Sequence, residues 1–253
     1  MIFTKTVLNV PSPISFGEDM SITTNKLPGL NATERRIVEQ VIRDHLATND
    51  SIHRRFFAAC HRSTVTRTTS RLCNAGWLAE ALLNYPRKYF LPGPQAVSAY
   101  GIPQQRQNPL GPQSLPTEYA LLEYTGANSA DVARLTTEDL QLRYPWYRKE
   151  NLTAPHCLRV SNEQQMLELI RVDLGGPADL VARKCRDGVQ SRKNATEFEK
   201  LMLSRGFSIV IITATSSKAK AIEAALTHHI WPDGLVFRIN AFPSLISLLP
   251  RSL

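Results

Sequence analysis

The chain has 253 residues, 43% of them hydrophobic, and a formal net charge of +8. That length and apolar share fit one large or two small domains with true cores, and no run approaches the ~18 apolar residues of a membrane span. The excess of Lys and Arg, with a pI near 9.5, favours a polyanionic partner.

Residues 1–29, with Pro11, Pro13 and Pro28, read as an arm on the first domain and carry neither the apolar segment nor the cleavage site of a secretory leader. From Leu30 the pattern becomes regular. Asn31 or Thr33 can cap a helix whose Ile37, Val38, Val41, Ile42 and Leu46 share one face. The polar break Ala47-Thr48-Asn49-Asp50 ends it, and Ser51–Cys60 is the length of a second short helix. After His61-Arg62-Ser63 comes a third helix, Thr64–Asn74, stopped by Ala75-Gly76. Two apolar runs, Trp77–Leu83 and Lys88–Leu91, joined by Asn84-Tyr85-Pro86-Arg87, predict a hairpin. Three helices and a hairpin, residues 30–101, give the order of a winged helix-turn-helix.

The third helix points to double-stranded DNA. Val65 and Leu72 should pack inward, which turns Ser63, Thr64, Arg67, Ser70, Arg71 and Asn74 to the opposite side, with Arg62 at the entrance. No carboxylate occurs between Asp50 and Glu80, whereas Arg54, Arg55, Arg62, Arg67 and Arg71 do. Arg reaches guanine edges bidentately, and Ser and Thr anchor phosphates, so this face suits a major groove. Arg87 and Lys88 at the wing would add backbone contacts.

Pro92-Gly93-Pro94 leads into a short segment, Gln95–Tyr100, that closes the first domain. Residues 102–116 (IPQQRQNPLGPQSLP) are rich in Pro and Gln and read as a linker. Beyond it, Thr117–Tyr124 and Ala130–Leu142 look helical and precede an aromatic–basic patch from Tyr144 to Lys149. Strands are expected at Cys157–Val160 and Met166–Asp173, joined by Ser161-Asn162-Glu163, then a helix after Gly175-Gly176-Pro177. Phe207–Thr213 (FSIVIIT) is the unbroken run of a strand covered on both faces. A helix at Ser216–His228, a strand at Gly234–Ile239 and a short helix at Pro243–Leu249 complete an α/β domain, residues 117–253, with a mixed sheet.

Cys60, Cys73, Cys157 and Cys185 form no CxxC and read as buried, reduced thiols of a cytoplasmic protein. His228-His229, adjacent on a helix, diverge by about 100° and make a poor metal clamp.

Over residues 30 to 250 the chain resembles the replication-relaxation family. The resemblance rests on Tyr89-Phe90-Leu91-Pro92-Gly93 after the hairpin, on Val172-Asp173-Leu174-Gly175, on Arg183-Lys184-Cys185-Arg186, and on the buried strand and closing basic helix after them. It implies a bacterial plasmid or mobile-element protein whose second domain is similar to the restriction-endonuclease fold. Active members of that fold place an Asp after Pro at a strand start and a Glu/Asp-x-Lys on the next strand, where the acids bind Mg²⁺. Here the corresponding positions read Pro155-His156 and Arg171-Val172-Asp173, so no catalytic residue, metal or cofactor is expected. Asp173 is expected to pair with the guanidinium or to cap the helix after Gly175-Gly176. The expected function is therefore a DNA-binding accessory protein or regulator, possible as a homodimer, docking a relaxase, replication or transposition protein. Two alternatives stay open: a metal-dependent nuclease using Glu168 with Asp173, and a protein–protein scaffold.

Overall fold

A computed structural model describes residues 29–128, 131–147, 151, 154–161 and 164–249. The expected arm up to residue 28, Arg148 and Lys149 of the aromatic–basic patch, and Asn162-Glu163 of the polar turn lie outside the described residues.

Helix α1 (Ala32–Asp44) opens on a capping box: Glu34 N–H donates to Asn31 Oδ1 at 2.9 Å, and Asn31 N–H to Glu34 Oε2 at 3.1 Å. Ile37, Val38 and Val41 lie fully buried beneath it. Helix α2 (Asn49–Phe56) has a second capping box, from Thr48 and Ser51, and stops short of the expected Cys60. Helix α3 (Arg62–Asn74) follows, then strands β1 (Leu78–Asn84) and β2 (Arg87–Pro92), antiparallel with Leu78 opposite Pro92. The segment read as a polar break does more than separate two helices. Ala47 and Phe90 exchange backbone hydrogen bonds at 3.0 and 2.8 Å, which ties the α1–α2 connection to β2. Gly76 ends α3 at φ 74°, and Gly93 at the head of α4 (Pro94–Tyr100) lies so near that a Cβ would meet Gly76 O at 2.2 Å.

The second half contains α5 (Ser114–Ala127), β3 (Val132–Leu135), α6 (Thr137–Arg143), β4 (His156–Ser161), β5 (Gln164–Val172), α7 (Ala178–Gln190), α8 (Thr196–Leu203), β6 (Phe207–Thr213), α9 (Ser216–Thr227) and β7 (Val236–Ala241), then a 3₁₀ turn at Pro243–Leu248. The sheet runs β3-β4-β5-β6-β7, antiparallel as far as β5 and parallel from β5 to β7. This is the α/β class with a mixed sheet. Strand β6 is buried at every position, as its sequence predicts.

Two expectations need correction. The helix expected over 130–142 is instead strand β3 followed by α6, with Thr136 capping Asp139 between them. The stretch 102–116 is also no free tether. It contains a 3₁₀ turn at Gln104–Gln107 and the start of α5, Arg106 donates to the Ile42 carbonyl, and Leu110 N–H donates to Tyr89 Oη at 2.9 Å.

One core joins what the sequence divides. Leu46, Leu83, Tyr89 and Leu91 from the first half pack with Tyr119–Leu122 and Tyr124 of α5, and with Ile170, Val210 and Ile212 on one sheet face. The other sheet face packs Leu167, Leu169, Ile209 and Ile211 against α7, α8 and α9. No helix among the described residues is long and apolar enough to cross a membrane.

Candidate nucleic-acid interface

Helix α3 begins at His61, whose Nδ1 accepts from Ser63 N–H at 3.3 Å. Val65, Thr69 and Leu72 are buried against α1 and α2, and Thr69 turns its hydroxyl back to the Val65 carbonyl at 3.1 Å. The exposed residues are Arg62, Ser63, Thr66, Arg67, Ser70, Arg71 and Asn74, an arc of roughly half the circumference at 3.6 residues per turn. Every residue in that arc is basic, hydroxylated or an amide.

The arc differs from the expected one at two places. Thr64 is half-buried at its margin, and its carbonyl accepts from Thr68 Oγ1 at 2.9 Å. Thr66, which the sequence reading passed over, is exposed between Arg62 and Ser70. The missed signal was the i, i+4 series Arg62, Thr66, Ser70, Asn74, which lies along one face of a helix.

The carboxylate-free stretch also gains acids from outside itself. Arg62 Nη1 lies 2.9 Å from Asp50 Oδ1, with both side chains more than half exposed, so that pair is weak. Arg71 pairs with Glu34, the buried acid of the α1 capping box, and this contact fastens the end of α3 to the start of α1. Arg67 makes no hydrogen bond or ion pair among the described residues, and its guanidinium faces solvent.

The hairpin tip is engaged rather than extended. Arg87 Nε donates to Asn84 Oδ1 at 2.8 Å and its Nη2 to Ser247 Oγ at 3.4 Å, while Asn84 Nδ2 donates to the same Ser247 oxygen at 2.6 Å. Lys88 pairs with Glu80 across the two strands at 2.5 Å. Both cations stay exposed, but each already has a protein partner.

The residues considered for metal chemistry do not converge. Strand register sets His156 opposite Leu169, so the tripeptide facing the histidine is Leu169-Ile170-Arg171, and Asp173 lies beyond the strand end. Asp173 neither pairs with Arg171 nor caps α7. Its Oδ1 accepts from Gly175 N–H at 3.1 Å and its Oδ2 from Thr213 Oγ1 at 3.2 Å, and the α7 cap position is Pro177. Glu168 points to the α5 face, where Arg159 and Tyr124 hold it. Five residues of extended chain separate the two acids by about 16 Å, far more than a shared metal allows. Among the described residues no group of three or more His, Cys, Asp or Glu side chains could hold an ion. The cysteines are free, with Cys157 and Cys185 buried, Cys73 half-buried and Cys60, against expectation, exposed.

Neither a protein-family model nor a curated protein matches this chain.

Proposed function

We propose that this protein is a sequence-specific double-stranded-DNA-binding accessory protein or regulator, with α1–α3 and the β1–β2 hairpin acting as a winged helix-turn-helix. The observation that carries the reading is the α3 arc: exposed, free of acids along its own sequence, and presenting an Arg67 that no other described residue engages. The overall charge of +8 supports attraction to phosphate in general. Base preference falls to Arg67, Ser70, Asn74 and Thr66 at the centre of the arc. Arg71, fastened to Glu34, is suited to fix orientation.

The sheet module is proposed as a nuclease-like fold without catalysis, serving to dock a relaxase, replication or transposition protein of a mobile element in the bacterial cytoplasm. His156 and Leu169 stand at the facing strand positions where such a fold needs carboxylates for Mg²⁺, with Arg171 in the place of the lysine, and neither imidazole nor alkyl suits that hard cation.

The test uses a duplex selected from a randomised pool by the full-length protein. Arg67→Ala is expected to cost ~1–3 kcal/mol and relax base preference, while Arg87→Ala weakens all sequences alike and less. Affinity measured by fluorescence anisotropy at several salt concentrations should fall steeply with salt. Unchanged affinity in Arg67→Ala, or binding indifferent to salt, refutes the assignment.

A further inference from the structure

We infer that Arg192, backed by Arg171, forms with the cleft beside it a binding site for a single phosphate group, separate from the α3 face. The two arginines stand far apart in sequence and meet at Gly188 of α7. Strand β5 sends Arg171 up toward that helix, and a Cβ on Gly188 would lie 2.8 Å from Arg171 Nη2, so the guanidinium sits where a larger residue would make it shift. Arg192 reaches the same residue from the other side, its Nη1 donating to the Gly188 carbonyl.

Arg192 is 4% exposed, yet every acceptor around it among the described residues is neutral. Its Nε donates to Tyr147 Oη, its Nη1 also to Ser191 Oγ at 3.2 Å, and its Nη2 to the Asn151 carbonyl at 3.4 Å, while the guanidinium stacks on the Tyr147 ring at 4.8 Å. Arg171 Nε is buried with no hydrogen-bond partner. Among the described residues neither guanidinium has a carboxylate partner, and each repels the other.

Among the described residues, the two titratable groups next in line from Arg192, Tyr147 and His156, add no charge of either sign. Tyr147 Oη and His156 Nε2 are 2.7 Å apart. Burial, reinforced by Arg192 and Arg171, holds the imidazole down to about 3, and burial pushes the Tyr147 hydroxyl up to about 12. Burial also lowers Arg192, and Arg171 adds to that against the stabilising Tyr147. A buried Arg192 held by neutral acceptors, with the half-buried Arg171 beside it, is costly to keep charged, and an oxyanion is the ligand that removes the cost.

The opening has a matching shape. Trp146, Asn151, Ser191, Arg192 and Asn194 line a cleft of about 10 Å³, room for one oxygen atom. One phosphate oxygen would enter and meet Arg192 while the others remain at the mouth. A larger ligand can be held only by such a terminal group. The shared chemistry is therefore a terminal phosphate, either free or carried at the end of an oligonucleotide.

The test follows thermal unfolding of the full-length protein in inorganic phosphate at constant ionic strength, balanced with chloride. A saturable rise in Tm is expected for the wild type and for Arg67→Ala. It should be weakened about tenfold in apparent affinity in Arg171→Met and lost in Arg192→Met. Because Arg171 has no partner among the described residues to strand, Arg171→Met should fold at least as stably as wild type without phosphate, which keeps one clean variant should Arg192→Met misfold. No rise, or a rise that neither saturates nor differs in Arg171→Met, overturns the proposal. Competition by a 5′-phosphorylated but not a 5′-hydroxyl oligonucleotide assigns the site to nucleic-acid ends, and competition by neither assigns it to free phosphate. Duplex binding read separately with Arg67→Ala keeps this outcome distinct from that of the α3 face.

Discussion

Glu168→Ala is expected to destabilise the fold by about 3–5 kcal/mol, the cost of stranding a buried charge. Glu168 is wholly buried on β5, facing α5. Its Oε1 accepts from Arg159 Nε at 2.7 Å and its Oε2 from Tyr124 Oη at 2.7 Å, and Arg159 Nη2 closes the triangle on Tyr124 at 2.8 Å. Arg159 is only 12% exposed, so without the carboxylate its charge keeps little water and only the neutral Tyr124 oxygen. Burial and the Glu168 charge both raise the Tyr124 hydroxyl, so it stays a donor and cannot take over as the anion. Ser208, the register neighbour of Glu168 on β6, has an unpartnered hydroxyl but offers no charge. Glu168→Leu combined with Arg159→Met should recover most of the loss, because an apolar pair of similar volume often replaces a buried ion pair at little cost. Urea unfolding monitored by circular dichroism measures both. A loss below about 1 kcal/mol for Glu168→Ala would show that the triangle contributes no more than a surface ion pair. The result also bears on the nuclease alternative, since loss of activity in a Glu168 variant would report unfolding before it reported catalysis.

Periodicity made the frame of this protein legible, and long-range charge pairing hid the rest. Helix α3 and strand β6 read correctly because one has a clean polar arc and the other an unbroken β-branched run. Strand β3 was missed because four residues are too few to show alternation, and because Arg134 places a cation inside it. That guanidinium is 9% exposed and is made tolerable by Glu118, which only the fold brings near. Residues 102–116 read as a tether because Pro and Gln bury little side-chain area. Their attachment runs through backbone and guanidinium hydrogen bonds, which composition does not register. The α3 face was legible as to residue type but not as to engagement, since Glu34 and Asp50 both lie outside the acid-free stretch. The Arg171–Arg192 meeting at Gly188 had no local signal at all.

The network that joins the two halves should make the protein acid-labile between about pH 4.5 and pH 2. Glu118 of α5 faces His45, the residue that ends α1 at φ 69°, with Nδ1 and Oε1 3.2 Å apart, and it pairs with Arg134 of β3. Arg134 Nη1 also donates to the Asp44 carbonyl at 2.7 Å, and Arg43 Nη2 reaches Asp139 Oδ2 at 2.8 Å, so α1, α5, β3 and α6 are bound together. Burial alone would raise the Glu118 carboxyl, but the His45 hydrogen bond and the Arg134 charge outweigh it and hold the group at about 2. Against an ordinary value of 4.5, that is worth on the order of 3 kcal/mol. The folded value is depressed, so this stability is present in full above the unfolded value and is lost as pH falls toward 2. His45 acts in the same sense from a higher pH: burial lowers its value, so protonation below about 6.5 favours the unfolded chain. Asp44 acts oppositely, because burial raises it and acid relieves its charge, with Gln40 and the nearby arginines only partly compensating. Glu118→Gln therefore isolates the dominant contribution. In urea titrations from pH 7 to pH 2.5 the wild type should lose on the order of 3 kcal/mol more than Glu118→Gln, most of it below pH 4.5, while Asp44→Asn steepens the wild-type loss. Parallel curves for wild type and Glu118→Gln would mean that the halves are held by the apolar core around Tyr89 and Tyr124 alone, with the charged network adding nothing.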